Sequence, residues 1–324
     1  MSYHSKPLIR MYQPLLPYRK RQQGVAIIMA LFIMALVATM AYLMLSQLAR
    51  DTQRTSLILR DTQAELYAQS SVASAIEQLR RNWENQKPNR LIDVMPLVLP
   101  ASNMNGYQIT TTINDMQARF NLNNLNDGQA QAGFKNLLQL LVPDLPPDKA
   151  QAIVMAVADW ITPGAGSAEY KQYYMELPEP YRAAHRPMVN ASELRLVKGV
   201  TPSLYQALKP YVTALPMSSY VNVQSASAPV LTTLSPTMTL AAAKGLTNLR
   251  VSSPFVSPQQ FLNTDIIKNH PISADKIVTV SRYFLIESKV TIENQQTVLY
   301  TLVDRVVQNN KPMVNVLWQS KGME

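Results

Sequence analysis

The sequence predicts an α+β chain: one long N-terminal helix, then strands, then a block of helices, then more strands. Three observations carry this. Between Val25 and Lys87 there is neither Pro nor Gly, so no breaker stops a helix before Pro88. Residues 129–215 carry helical patterning punctuated by Pro-led starts. On either side of that block, segments such as 107–114 and 297–307 alternate and are rich in β-branched residues.

The first element is the most constrained. Residues 25–45 read VAIIMALFIMALVATMAYLML, 21 residues without a charge, Gly or Pro. At about 1.5 Å per residue such a helix spans about 30 Å, the thickness of a bilayer's hydrocarbon core. A cleavable secretory signal has a shorter apolar run, about 7–15 residues, ending in small residues. The net charge of +9 reinforces the membrane reading, because Lys6, Arg10, Arg19, Lys20 and Arg21 precede the run with no acid among them. The remaining chain carries only +4. Basic residues on one flank predict a cytoplasmic N-terminus and an exported remainder after Leu48. The helix continues to about residue 83, with Leu48, Thr52, Thr55, Leu59, Thr62, Leu66, Ala73, Ile76, Leu79 and Trp83 as the expected buried stripe.

The later elements follow from local chemistry. Residues 107–114 predict a strand, and the Asn-rich NLNNLND that follows predicts turns. Helices are expected at 130–142, 147–161, 190–198 and 202–214. Pro147 and Pro202 would stand at first helical positions. Residues 216–258 are rich in Ser, Thr, Ala and Pro, which predicts a loop-rich connection with one short helix near 239–246. A helix at 258–268 precedes long strands at 276–292 and 297–307, joined by the hairpin signal Glu293-Asn294-Gln295-Gln296, and a third strand at 313–318.

The catalytic inventory is thin. The chain has no Cys, which excludes disulfides, thiolate nucleophiles and Cys-ligated metals. Its three His are His4, His185 and His270, and no nucleotide loop or G-x-S-x-G elbow occurs. An enzyme is not expected. A signal-anchored hydrolase would have to use Asp159 with His185 in a deep pocket.

The basic leader ending in Gly24, directly before an apolar helix, resembles a type IV prepilin N-terminus. That resemblance implies cleavage by a prepilin peptidase between Gly24 and Val25, followed by methylation of Val25. It leaves open whether translation starts at Met1 or Met11. Most such proteins carry glutamate at the fifth mature position, and here Met29 stands there. A carboxylate in lipid costs about 2.5–3.5 kcal/mol unless paired, so its loss suits a subunit with no neighbour above it. The missing acid resembles the K-type minor pseudopilins of type II secretion. Four stretches are similar to motifs of that family. They are Asp115-Met116-Gln117-Ala118-Arg119-Phe120-Asn121-Leu122-Asn123-Asn124-Leu125, Ala158-Asp159-Trp160-Ile161, Pro180-Tyr181-Arg182-Ala183-Ala184-His185-Arg186-Pro187-Met188 and Ser192-Glu193-Leu194-Arg195-Leu196-Val197. In the first, Ala118 replaces the family's glycine. In the third, His185 replaces its asparagine.

The resemblance implies a pilin-like fold, a long helix packed on a small antiparallel sheet, with a large inserted α-helical domain. The organisation expected is a basic leader at 1–24, a transmembrane helix at 25–48, a periplasmic helix with first strands at 49–128, the inserted helical domain at 129–215, and a loop-rich connection with the remaining strands at 216–324. The implied role is at the tip of the pseudopilus, initiating or capping its assembly for protein export across the outer membrane. The implied location is the bacterial inner membrane, single-pass, with a periplasmic C-terminal domain. Implied partners are the I and J minor pseudopilins, the prepilin peptidase and an exported protein substrate, with no nucleic acid. The alternative is a minor pilin of a type IV pilus or DNA-uptake machine, which needs a basic groove such as Arg182, Arg186, Arg195 and Lys198 could form. The family also binds calcium in the loop after Asp-Trp-Ile/Leu. Asp159 and Glu169 are the matching acids here, while Thr162 and Tyr170 stand where the family has aspartates. A capping aspartate and a solvated glutamate are the competing reading.

Overall fold

The computed structural model describes residues 23–84, 96–164, 166–216, 218–308 and 311–322. The elements are α1 (Gln23–Glu84), β1 (Leu97–Val98), β2 (Ser102–Met104), β3 (Tyr107–Asp115), β4 (Phe120–Asn121), α2 (Gly128–Leu141), α3 (Pro147–Ile161), α4 (Ala168–Met175), α5 (Pro202–Leu208), β5 (Val212–Thr213), β6 (Val221–Asn222), α6 (Ala228–Leu231), α7 (Leu240–Ser252), α8 (Pro258–Leu262), α9 (Asp265–Lys268), β7 (Ile277–Val278), β8 (Tyr283–Ile292), β9 (Gln295–Gln308) and β10 (Lys311–Lys321). Residues 1–22 of the basic leader lie outside the described residues, as does the Trp83 side chain.

Two compact units divide after Arg60. In the first, the described chain is the N-terminal part of α1, and its apolar side chains from Val25 to Leu48 are exposed. This helix is long and apolar enough to cross a membrane.

The second unit contains an antiparallel sheet in the order β1-β3-β8-β9-β10, with β2 also paired to β3. β3 and β8 are neighbours, with Ile113 opposite Ile286, although residues 116–282 separate them in sequence. The intervening helices therefore form an insertion between two adjacent strands. Alternation along β3 sends Tyr107, Ile109 and Ile113 to the side packed against α1. From α1, Ala64, Ala68, Val72, Ala75 and Leu79 enter that layer, at the spacing of one helical face. The larger core lies in the insertion, where Phe134, Leu137 and Leu138 of α2 meet Val154, Val157 and Trp160 of α3.

Tertiary structure moves several predicted elements. In the second unit the buried face of α1 uses alanines, and Thr62, Leu66 and Ala73 are exposed. Small side chains let the helix backbone approach the sheet, which a reading weighted by large apolar residues misses. A 3-10 turn, Ala191–Leu196, replaces the helix expected at 190–198. The helix expected at 202–214 ends at Leu208, because Pro210 has no amide hydrogen to continue the helical ladder. Val212–Thr213 then pairs in parallel with Phe120–Asn121. The stretch 216–258 is more ordered than expected, holding β6, α6 and a 13-residue α7. The single helix expected at 258–268 is two, α8 and α9. The strand expected over 276–292 breaks into β7 and β8, and β7 leaves to pair with β6. α4 had no counterpart in the sequence reading.

Candidate functional site

The segment at Gly24 and Val25 is helical, and among the described residues nothing outside its own turn lies within 4 Å of where a Gly24 Cβ would stand. Met29 sits one turn further on, 59 % exposed among other exposed apolar residues.

The four motifs are drawn together by hydrogen bonds, those of Asn123 being buried. Asn121 caps the 3-10 turn Leu122–Asn124 by accepting from the Asn123 amide at 3.2 Å. Its carboxamide also accepts from the Leu215 amide (3.0 Å) and donates to the Pro216 carbonyl (3.1 Å). Asn123 donates to the carbonyls of Met188 and Leu215, and accepts from the Met188 amide at 2.7 Å. The first motif is thereby locked onto the third. Glu193 accepts from the Val189 amide (2.7 Å) and from the Trp160 indole (3.4 Å), joining the second motif to the fourth. The Tyr181 hydroxyl donates to the Leu196 carbonyl at 2.6 Å, joining the third to the fourth. Buried amides left unpaired cost about 1–3 kcal/mol each, so these side chains specify one arrangement of otherwise irregular segments.

Asp115, at the end of β3, holds the insertion to the sheet. Its Oδ1 accepts from the Gln117 amide at 2.8 Å. Its Oδ2 accepts from the hydroxyls of Ser225 and Ser281 and from Asn222 Nδ2. Complete burial pushes this carboxyl above its ordinary pKa, while the four hydrogen bonds work in the opposite direction. Burial lowers the Arg305 guanidinium to about 10, and attraction to Asp115 opposes that fall. The sequence reading missed this network, because its members are far apart in the chain and only the fold collects them.

The loop between α3 and α4 shows what each predicted ion ligand does. Asp159 Oδ1 accepts from the amides of Gly166 and Ser167, both at 3.2 Å, and its Oδ2 is buried with no hydrogen-bond partner among the described residues. Glu169 is bonded to the Lys198 ammonium at 2.8 Å. Thr162 donates its hydroxyl back to the Ala158 carbonyl at 2.7 Å. No group of three or more His, Cys, Asp or Glu able to hold a metal occurs among the described residues. Calcium takes about six to eight oxygens. With Asp159 Oδ1 on two backbone amides and Glu169 Oε1 on an ammonium, these two carboxylates do not supply such a set.

The residues of the competing readings are occupied in other ways. His185 Nδ1 faces the backbone carbonyl of Asp159 at 3.2 Å, not its carboxylate. His185 adopts φ +44°, a region where Asn is at home and His is tolerated. Its ring packs over Gly166, where a Cβ would lie 3.2 Å from Nε2. A cavity of about 330 Å³ is lined by Phe120, Asn124, Asp127, Gln129, Tyr220 and Lys276 among others, and neither Asp159 nor His185 lines it. Of the four cations considered for a groove, Arg186 lies 4.0 Å from Glu193, Lys198 is on Glu169, and Arg195 lies over the Tyr205 ring.

Comparison with known proteins agrees with the motifs. Two family models described as "Type II secretion system (T2SS), protein K" match residues 118–217 and 221–280. The type II secretion system protein K of Pectobacterium carotovorum subsp. carotovorum is 30 % identical over 296 residues, covering 85 % of this chain and 90 % of that protein. That of Klebsiella pneumoniae is 32 % identical over 273 residues, covering 78 % and 83 % respectively. The fold is similar to a chain in the crystal structure of the GspK-GspI-GspJ complex from enterotoxigenic Escherichia coli, with a TM-score of 0.67 and 24 % identity. The match covers 84 % of this chain and all of that one. With its apolar N-terminal helix, its helical insertion between adjacent strands and these relatives, the chain belongs to the protein K family of the type II secretion system, a family of pseudopilins.

Proposed function

We propose that this chain is the tip subunit of the pseudopilus, anchored by its apolar helix in the inner membrane with the N-terminus cytoplasmic and the folded part periplasmic. A prepilin peptidase cuts between Gly24 and Val25, and Val25 is methylated. The helix of the processed subunit then packs beside those of I-type and J-type minor pseudopilins, initiating the filament or capping it. The role is structural, and an exported protein is its natural contact at the tip.

The observation that carries this reading is Met29. With no carboxylate at that place, the helix offers no ionic contact to a subunit above it and incurs no cost for an unpaired charge in lipid. Two further features support it. In the first unit Leu48, Leu57, Ile58 and Leu59 are exposed, as is Leu66 in the second. These are apolar side chains exposed along α1. The bulk of residues 116–282, inserted between β3 and β8, suits a subunit that ends a stack.

Intact-mass spectrometry of the protein from native membranes, with a pull-down of its membrane partners, tests the proposal. The expected result is a mature chain starting at methylated Val25 and accompanied by I-type and J-type pseudopilins. Retention of residues 1–24 in the assembled protein would refute it.

A further inference from the structure

We infer that the loop between α3 and α4 is closed by this chain's own groups, with the Lys198 ammonium in the place of a bound cation, and that its fold is independent of divalent metal.

The geometry around Lys198 is that of a cation site already filled. Its Nζ lies 2.8 Å from Glu169 Oε1. The same ammonium lies 5.4 Å from the centre of the Tyr170 ring and 4.9 Å from that of Tyr173, within the range of cation–π attraction. The backbone fixes it as well, since the Lys198 amide donates to the Tyr174 hydroxyl at 3.1 Å. Tyr174 is buried and packs edge-on against Trp160 of α3. Lys198 therefore ties α4 to the turn that follows the fourth motif, using one carboxylate and two rings of α4.

The other end of the loop is closed without an ion. Asp159 gives Oδ1 to two successive amides at the point where the chain turns into α4, and Ser167 caps that helix through the Tyr170 amide. Two oxygens that could serve a metal are thus committed, one to backbone N–H groups and one to an ammonium. A divalent ion at Glu169 would have to displace Lys198 or sit beside a like charge. At Tyr170, where the resemblance implies an acid, the chain presents a ring. That ring is the surface an ammonium prefers and that calcium, a hard cation seeking oxygen, does not.

Thermal melting of the full-length protein in detergent tests this. The midpoint in excess EGTA and in millimolar calcium is expected to agree to within about 1 °C. Lys198→Met keeps the aliphatic stem and removes the charge, and is expected to lower the midpoint by about 2–4 °C under both conditions. Lys198→Arg is expected to keep most of the wild-type value. A calcium-dependent rise of about 5 °C or more in the wild type would overturn the inference. So would terbium emission, sensitised through Trp160, that calcium displaces and Asp159→Asn abolishes. A Lys198→Met protein that melts like the wild type would overturn the role given to the ammonium.

Discussion

Among the described residues of the second unit, the two larger apolar layers are built differently. In the insertion, α2, α3 and α5 meet through large side chains. Phe134 stacks on Phe120 at 5.4 Å between ring centres, and Leu137, Leu138, Leu204 and Leu208 fill the space around it. Against the sheet, α1 contributes mainly alanines, and the bulk comes from Tyr107, Ile113, Phe284 and Val303. The first layer is held by side-chain volume. The second is held by close approach of a helix to strands, with Ser71 and Ser288 hydroxyls in contact across it at 2.5 Å. A helix proposed to pack beside those of other subunits can bury a narrow stripe of small residues and leave its larger ones outside. A self-contained helical block spends its large residues inward.

That contrast can be broken from either side. Phe134→Ala should be the most damaging change, costing about 3–5 kcal/mol in denaturant unfolding, since it deletes a fully buried ring and leaves a cavity. Asp115→Ala, at the junction of the two layers, should cost about 2–4 kcal/mol by stranding the donors from Ser225, Ser281, Asn222 and Gln117. The pH response has a definite sign. Burial raises this carboxyl, so the folded chain holds its proton more tightly than the unfolded one. Its contribution is full below the ordinary carboxylate pKa and is lost as pH rises through the raised value. That slope should vanish in Asp115→Ala.

Against the sheet the damaging direction reverses. Ala68 is fully buried, so Ala68→Leu should cost about 1–3 kcal/mol by overpacking, measured by the same unfolding curves. The smallest effect should come at the edge of this layer, where Lys321 on β10 pairs with Asp61 (2.7 Å) and Glu65 (3.2 Å) of α1. Its hydrogen bond holds the Asp61 carboxyl below the usual range. Because all three groups are well exposed, Lys321→Ala should cost less than about 1 kcal/mol, and less still at high salt.

The candidate site was partly legible in the same way. Asp159 and Glu169 could be named from a motif, and a capping aspartate was one of the two readings available for that loop. What Lys198 does there could not be named, because it stands 29 positions after Glu169 and only the packing of α4 against the turn at 197–200 brings them together. The four motifs were visible as strings. That they form one hydrogen-bonded cluster through Asn121, Asn123, Glu193 and Tyr181 was not.

The sequence by itself determined whatever depends on neighbours along the chain. It set the uninterrupted helix from its lack of breakers, the apolar span from its length, β3 from its alternation, and the starts of α3 and α5 from Pro147 and Pro202. Tertiary structure decided which face of α1 is buried, where the 276–292 stretch breaks, and that short segments such as Val212–Thr213 and Ile277–Val278 pair as strands. Those outcomes depend on close approach and on hydrogen-bond partners far away in sequence, and local propensity carries no record of either.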